Sequence, residues 1–302
     1  MTNDSKAIAC ACVAVLSWST VATAFKMALR YLTHFEMLWV ASLTSLVIFA
    51  VLLTAQRKWR LLGNLTGKQW LYYAGLGLLN PVAYYLVAVQ GIRFASCAGG
   101  AAINYAWPIV LLILLALFAG QPIPKKKYIG MFVSLAGVAL ISIGTGFNGE
   151  MSVSTEGFLL AALSAVLWAT YWMLNNRNKV QTDGSVVLFL TFLFGSVYLS
   201  VGALFCGLNL SSLTGVLSGM YVGGFEMGIP FIFFGLAMRK TSNPALINQL
   251  CYLSPFMSLF FISVVLGEQI VFTTYIGLVM IVLGIVFNQY FVKSSNQAKI
   301  VQ

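Results

Sequence analysis

The 302-residue chain is 60% hydrophobic and 8% charged, whereas ordinary soluble domains carry about 25% charged residues. This composition excludes an ordinary soluble enzyme and predicts an integral membrane protein, because apolar stretches of about 20 residues, enough to cross a bilayer as a helix, recur along the chain. The formal net charge of +10 comes from Lys and Arg residues in loops beside these stretches, where orienting the protein explains them better than binding nucleic acid does.

Ten apolar stretches are predicted as membrane-spanning helices, which makes the fold all-α and polytopic. In chain order they cover about residues 7–27, 35–55, 69–90, 95–119, 128–146, 157–175, 184–206, 215–237, 243–266 and 271–292. With a cytoplasmic N-terminus, all of the 17 Lys and Arg residues except Lys26, Arg30 and Arg93 fall on the cytoplasmic side. Because basic loops stay inside, we expect both termini in the cytoplasm.

The two halves of the chain repeat one another. At a shift of 147 residues the matching pairs are Tyr105 and Tyr252, Pro108 and Pro255, Gly120 and Gly267, Tyr128 and Tyr275, and Gly137 and Gly284. Slightly larger shifts pair Trp18 with Trp168 and Pro81 with Pro230. Because five spans per half is an odd number, the second half enters the membrane in the opposite sense. We predict two inverted five-helix repeats, residues 1–147 and 148–302, an architecture common in secondary transporters.

Four motifs carry a resemblance to a known family. They are "LSWSTVATAFK" in the first span, its echo "VLWATYWMLNNR" in the sixth, "AWPIVLL" in the fourth and "YLSPFMSLFFISVVLGE" in the ninth. With its five-plus-five spans, the chain resembles the drug/metabolite transporter superfamily, specifically the ten-helix EamA-type exporters, over essentially its whole length. It departs from that pattern at Gln121, where the first-half copy of the Gly267-Glu268 signature has no acid, and at Ala41–Leu43, where many members carry an Arg.

The resemblance implies a central cavity lined by spans one, three, four, six, eight and nine. On these spans the candidate substrate-binding residues are Trp18, Tyr84, Tyr105, Trp107, Trp168, Tyr171, Trp172, Glu226, Asn248 and Tyr252. An aromatic wall of this kind suits a planar ring or a cation. The alternative is that these rings face lipid or neighbouring helices, as many aromatic side chains of membrane proteins do.

Four prolines lie inside the predicted spans, at paired positions of the two halves: Pro81, Pro108, Pro230 and Pro255. Each removes a backbone hydrogen bond and kinks its helix. Paired breaks in two repeats point to the binding region of a transporter, so we predict that these prolines act as hinges. Fixed kinks that only shape the packing are the alternative.

One carboxylate lies near the centre of the eighth span, in the stretch "GGFEMGIPFIFF". A charged residue at the centre of a membrane helix costs roughly 2.5–3.5 kcal/mol on insertion scales, so such residues usually face a cavity and mark an ion or substrate path. We predict that Glu226 is the coupling residue and either binds a proton or pairs with a cationic substrate. The alternative is a protonated side chain that only holds helices together.

These features predict a secondary active transporter that exports a small metabolite, preferentially an amino acid or amine, across the bacterial inner membrane by alternating access. The alternatives are an importer of a small cationic or quaternary amine, a channel, and an intramembrane enzyme. The sequence has no nucleotide-binding G-x-x-x-x-G-K-[ST], no G-x-S-x-G and no H-E-x-x-H motif, and its five cysteines lack metal or redox spacing. We expect no cofactor, no metal and no nucleic acid, and as partners the substrate, the lipid bilayer and protons.

The inverted topology can be tested by labelling with an impermeant thiol reagent. In a variant without native cysteines, single cysteines placed near Asn148 and Gly207 should react from outside intact cells, because these loops are predicted to be external. Single cysteines near Lys126 and Lys240 should not react. External labelling near Lys126 would contradict the inverted arrangement.

Overall fold

The structure, a computed structural model, describes residues 2–94, 103–120, 123–145, 155–177, 182–266 and 272–288. Every regular element in these ranges is helical, which confirms the all-α class. A helix satisfies its backbone polar groups within the segment, as an apolar chain in lipid requires. The elements are α1 (Asn3–Ala28), α2 (His34–Ala55), α3 (Gly67–Gly77), α4 (Tyr84–Phe94), α5 (Trp107–Phe118), α6 (Lys125–Thr145), α7 (Thr155–Arg177), α8 (Gly184–Cys206), α9 (Leu213–Val222), α10 (Ile229–Lys240), α11 (Pro244–Leu250), α12 (Leu253–Leu266) and α13 (Phe272–Val286).

Six stretches of the described chain are long and apolar enough to cross a membrane. They are Asn3–Phe25, His34–Ala55, Gly67–Ala88, Thr155–Asn175, Gly184–Cys206 and Leu213–Lys240. Two shorter apolar helices, Trp107–Phe118 and Tyr275–Val286, accompany them. The count of ten spans and the inversion of the two halves remain predictions. Gln121, Asn148 and Glu268, on which parts of the sequence interpretation rest, lie outside the described residues.

Two of the long stretches are interrupted by a wide, π-helical turn. Leu78–Ala83 joins α3 to α4 and contains Pro81; within it Asn80 leaves the helical region, with φ −147° and ψ 124°. Gly223–Gly228 joins α9 to α10 and ends two residues before Pro230. Proline causes such breaks because it has no N–H and its ring collides with the preceding turn.

The pair α6 and α13 is held together by close backbone contact at glycines. Gly130 faces Gly284, and Gly137 faces Gly277, so the two helices run antiparallel. A Cβ atom on Gly137 would lie 2.5 Å from the Gly277 carbonyl oxygen, and one on Gly277 would lie 2.5 Å from the Gly137 carbonyl oxygen. Small residues allow this approach, which is a main source of attraction between helices in a membrane.

The remaining helices surround a common centre. Helix α1 packs against α9, α10 and α12, while α7 packs against both α4 and α5. Helix α2 contacts α8 and the wide turn Gly223–Gly228. These contacts bring the middle of α1, the start of α4, the middle of α7 and the wide turn to one point in the molecule.

The glycine contact generates a stability prediction. Gly137→Leu should lower the free energy of unfolding by about 1–3 kcal/mol, the usual cost of forcing extra carbon atoms into a well-packed contact. The matched control is Gly75→Leu, because a Cβ atom on Gly75 meets nothing within 4 Å. Thermal unfolding in detergent should show a lower midpoint for Gly137→Leu alone. Equal midpoints for both variants would contradict the close contact of α6 and α13.

Candidate functional site

The break before α10 leaves one backbone carbonyl without its usual helical donor. Pro230 has no N–H to give to the carbonyl oxygen of Glu226, four residues earlier. Trp18 of α1 fills this role, since its Nε1–H donates to that oxygen at 3.0 Å. On the other side of the turn, the Ser45 Oγ of α2 lies 2.8 Å from the carbonyl oxygen of Gly223. Side chains of two neighbouring helices therefore stabilise the turn that carries Glu226.

The Glu226 side chain is half-buried and reaches a cavity of about 110 Å³ at the centre of the molecule. Its Oε1 accepts a hydrogen bond of 3.1 Å from the Tyr85 hydroxyl of α4. We call this space the central cavity; its wall consists of Trp18, Tyr84, Asn104, Tyr105, Trp107, Trp168, Glu226, Cys251 and Ser254. Within the described part of the chain, no Lys, Arg or His belongs to this wall, so a lone carboxylate faces aromatic rings and small polar groups.

Aromatic rings pack closely around Trp168. The ring centroid of Trp168 is 4.4 Å from that of Tyr84 and 6.1 Å from that of Trp107. Behind Trp168, Phe231 lies at 5.4 Å and Trp172 at 6.1 Å, and both rings are fully buried. The pairs with Trp107, Phe231 and Trp172 are edge-on, and such pairs contribute about 0.5–1.5 kcal/mol beyond their buried area. Trp168 thus lies between the central cavity and a second aromatic layer formed by Phe231 and Trp172.

Six of the ten predicted site residues line the central cavity: Trp18, Tyr84, Tyr105, Trp107, Trp168 and Glu226. The structure does not place the other four on its wall. Tyr171 and Trp172 follow Trp168 by one turn of α7 and are fully buried in the second aromatic layer. The Asn248 amide donates to the carbonyl oxygen of Pro244 at 2.9 Å within α11, and Tyr252 is fully buried.

Four further residues, which the sequence analysis did not name, line the central cavity or contact Glu226. Asn104, Cys251 and Ser254 complete the cavity wall, and Tyr85 binds the carboxylate of Glu226. Asn104 and Ser254 carry a signal that the sequence does offer, because each is a polar residue close to a predicted proline break. Cys251 carries none, since a cysteine in an apolar helix is ordinarily a packing residue.

The four predicted hinge prolines all lie at interruptions of a helix. Pro108 and Pro230 are the second residues of α5 and α10, Pro255 is the third residue of α12, and Pro81 lies in the wide turn before α4. The first turn of a helix tolerates proline, because the N–H groups there have no helical acceptor. Their hinge function stays a prediction.

Two larger cavities flank the central one, each with a volume of about 150 Å³. The first, the basic cavity, is formed by the ends of α2, α7 and α10 and the start of α8. Its wall includes Lys58, Asp183 and Arg239. The second, the Tyr85 cavity, lies where α1 ends and α2 begins, and its wall includes Phe25 and His34 in addition to Tyr85.

The bond between Trp18 and the broken helix can be tested by Trp18→Phe, which keeps an aromatic ring and removes the N–H. The change should lower the free energy of unfolding by about 1–3 kcal/mol, because the Glu226 carbonyl oxygen loses its donor. Trp59→Phe is the matched control, since Trp59 donates to an exposed partner, Thr54, that water can satisfy. Thermal unfolding midpoints measure both changes. Equal shifts of the two midpoints would show that the Trp18 hydrogen bond stabilises the protein no more than the exposed Trp59 bond does.

Comparison with known proteins gives a consistent picture of relationship. The sequence profile of the EamA-like transporter family matches residues 5–143 and 155–290. An uncharacterized transporter, YvbV of Bacillus subtilis (strain 168), is 28% identical over 222 residues, which are 72% of this chain and 70% of that one. The aromatic amino acid exporter YddG of Salmonella typhimurium (strain 14028s / SGSC 2262) is 24% identical over 188 residues, which cover 60% and 63% of the two chains.

The fold is also known from a crystal structure. One solved chain superposes with a TM-score of 0.80 over 95% of this chain and 97% of its own length, at 21% sequence identity. This similarity bears on the fold alone. Because the family profile matches well over half of the sequence, the protein belongs to the EamA-like transporter family of the drug/metabolite transporter superfamily and is a multi-pass membrane transporter.

Proposed function

We propose that the protein is a secondary active transporter for a small amino acid or amine, and that it binds the ammonium group of this substrate at Glu226. The main support is the half-buried carboxylate of Glu226, which faces a cavity lined by Trp18, Tyr84, Trp107 and Trp168. A carboxylate attracts an ammonium group, and aromatic faces stabilise it further by cation–π interaction, worth about 2 kcal/mol when the cation is desolvated. A neutral or anionic ligand gains neither contribution.

Several observations support the two-repeat architecture, which we propose as residues 1–147 and 148–302 in inverted orientation. The family profile matches the chain in two successive stretches. Each half has a wide turn beside its paired proline, since Pro81 lies in the first turn and Pro230 follows the second by two residues. The glycine contacts are reciprocal. In the sequence repeat Gly130 aligns with Gly277 and Gly137 with Gly284, whereas in the structure Gly130 contacts Gly284 and Gly137 contacts Gly277. A two-fold relation between the halves produces such exchange.

Alternating access follows from this architecture if the broken helices change their angle at Pro81, Pro108, Pro230 and Pro255. Export is the proposed direction, across the bacterial inner membrane with both termini in the cytoplasm. A relative named as an aromatic amino acid exporter supports this direction and an aromatic substrate. Protons are the proposed coupling ion, because Glu226 can carry a proton when no ammonium group is present.

An importer of a small quaternary amine is the second candidate. The same aromatic wall and carboxylate favour a cation that has no carboxylate of its own. Counterflow in proteoliposomes separates the candidates: vesicles loaded with unlabelled phenylalanine or choline are diluted into the labelled compound. Saturable accumulation of phenylalanine supports the proposal, and accumulation of choline alone supports the importer. Flux of either compound without saturation or counterflow would indicate a channel.

The role of Glu226 gives a prediction for transport. Glu226→Gln keeps the size of the side chain and removes its charge and its proton exchange. We expect substrate binding about tenfold weaker or more if Glu226 pairs with an ammonium group, since a hydrogen bond to a charged group contributes about 1.5–3 kcal/mol. If Glu226 only couples protons, exchange should persist while accumulation driven by a pH gradient is lost.

The matched control is Glu156→Gln, which removes the same charge from an exposed position at the start of α7. This variant should bind and transport as the wild type does. Normal binding, normal gradient-driven accumulation and unchanged pH dependence in Glu226→Gln would show that Glu226 is a structural residue. In that case the proposed recognition of an ammonium group is wrong.

A further inference from the structure

Among the described residues of its wall, the basic cavity carries one positive charge in excess. The Lys58 Nζ lies 2.7 Å from the Asp183 Oδ2, and the Asp183 Oδ1 accepts from the Ser185 N–H at 2.9 Å. Partial burial acts to raise the pKa of Asp183, but the hydrogen bonds from Lys58 and Ser185 hold its pKa below the ordinary value. Asp183 is therefore ionised at neutral pH and balances Lys58. Arg239 is the remaining charged residue of the wall.

The Arg239 guanidinium has N–H groups for which the described residues provide no acceptor. Asp183 attracts it electrostatically, but both carboxylate oxygens of Asp183 already accept hydrogen bonds from Lys58 and Ser185. In the described ranges the structure records no hydrogen bond or ion pair made by Arg239 itself. Guanidinium presents parallel N–H groups that match the two oxygens of a carboxylate. An anionic group in the cavity would meet these donors.

A glycine leaves room for this guanidinium. Gly184 is the first residue of α8, and a Cβ atom there would lie 2.6 Å from the Arg239 Nη1 and 2.7 Å from its Cζ. Any side chain at residue 184 would therefore push the guanidinium out of its place. The position of Arg239 inside the cavity depends on the absence of a side chain at the start of α8.

Two packed aromatic rings separate the basic cavity from the central cavity. Phe231 belongs to the wall of the basic cavity, and its ring centroid lies 5.4 Å from that of Trp168, which belongs to the wall of the central cavity. Arg239 follows Glu226 by thirteen residues, a helical rise of about 20 Å. A single amino acid cannot contact both charges at once, so the two cavities must hold it one after the other.

We propose that the basic cavity is a second binding site, in which Arg239 binds the carboxylate of an amino-acid substrate at the cytoplasmic face before the substrate reaches Glu226. This inference rests on the proposed function for its place in transport. It adds that the substrate carries a carboxylate, for which the described wall of the central cavity offers no cationic side chain. An amine without a carboxylate would pass this site without being held.

Binding of 3-phenylpropionate, which has a carboxylate and no ammonium group, tests the site without reference to transport. Calorimetry on the purified protein should show binding to the wild type and none of 3-phenylpropanol, its neutral counterpart. Arg239→Gln should weaken binding of the carboxylate about tenfold or more, the effect of losing a hydrogen bond to a charged group. Gly184→Ala should also weaken it, because it displaces the guanidinium and keeps the charge.

Lys240→Gln is the matched control, since it removes an exposed positive charge from the neighbouring residue and should leave binding unchanged. No binding to the wild type, or equal weakening by Lys240→Gln, would overturn the proposal. Lipid headgroups are excluded by repeating the titration in phosphatidylcholine nanodiscs with and without phosphatidylglycerol. Competition by phosphatidylglycerol would show that the cavity binds a lipid headgroup instead of the substrate, which also overturns it.

Transport from the cytoplasmic face provides the second readout. In inside-out vesicles, Arg239→Gln should raise the KM for phenylalanine about tenfold and leave the KM for phenethylamine, the same molecule without its carboxylate, unchanged. An equal rise for both compounds would show a general structural defect and contradict the proposal. If the wild type transports neither compound, the proposed function fails, and the binding of 3-phenylpropionate still decides whether the basic cavity is a carboxylate site.

Discussion

The centre of the protein depends on one missing hydrogen-bond donor. Pro230 cannot bind the carbonyl oxygen of Glu226, so the helix opens into a wide turn and Trp18 supplies the bond from α1. The same turn directs the Glu226 side chain toward Tyr85 and the central cavity. One break thus both ties α1 to the turn before α10 and positions the carboxylate, so the proposed change in the angle of α10 would act on Glu226 and on a cavity wall together.

The cavities are separated by only one or two side chains. Trp168 and Phe231 lie between the central and basic cavities, and Tyr85 lies between Glu226 of the central wall and the Tyr85 cavity. The Tyr85 hydroxyl is bound to Glu226, so the proposed ammonium group at Glu226 would compete with Tyr85 for the carboxylate. A ligand in the central cavity would therefore affect the hydrogen bond of Tyr85, the residue between this cavity and the Tyr85 cavity. Helices α6 and α13, in contrast, are packed backbone to backbone at their glycines, and such close packing resists small displacements.

The sequence alone predicts the all-α class and those candidate residues that stand out by their amino-acid type. Glu226 stands out because a carboxylate in an apolar span needs a cavity or a partner, and Trp18 and Trp168 stand out because they recur in both halves. It is harder to predict which residue of a helix face lies at the cavity and which lies behind it. Trp168 and Trp172 are four residues apart and share a face, yet only the packing of Phe231 shows that the second ring lies behind the first. Around Tyr252, the turn between α11 and α12 places Cys251 and Ser254 on the wall instead, a local rotation that no residue pattern reveals.

Charges of opposite sign are sorted along one stretch of the chain, with Glu226 in the middle and Arg239 near the end of α10. A basic residue in the last turn also stabilises the negative end of the helix dipole, by about 0.3–1 kcal/mol. Lys240 satisfies that requirement equally well from an exposed position, so the dipole does not explain why the guanidinium lies in a cavity against Gly184. A zwitterion presents both charges to this path. Under the two proposals it would meet the positive group at one end and the negative group at the centre, so that each charge of the substrate would have its own binding partner.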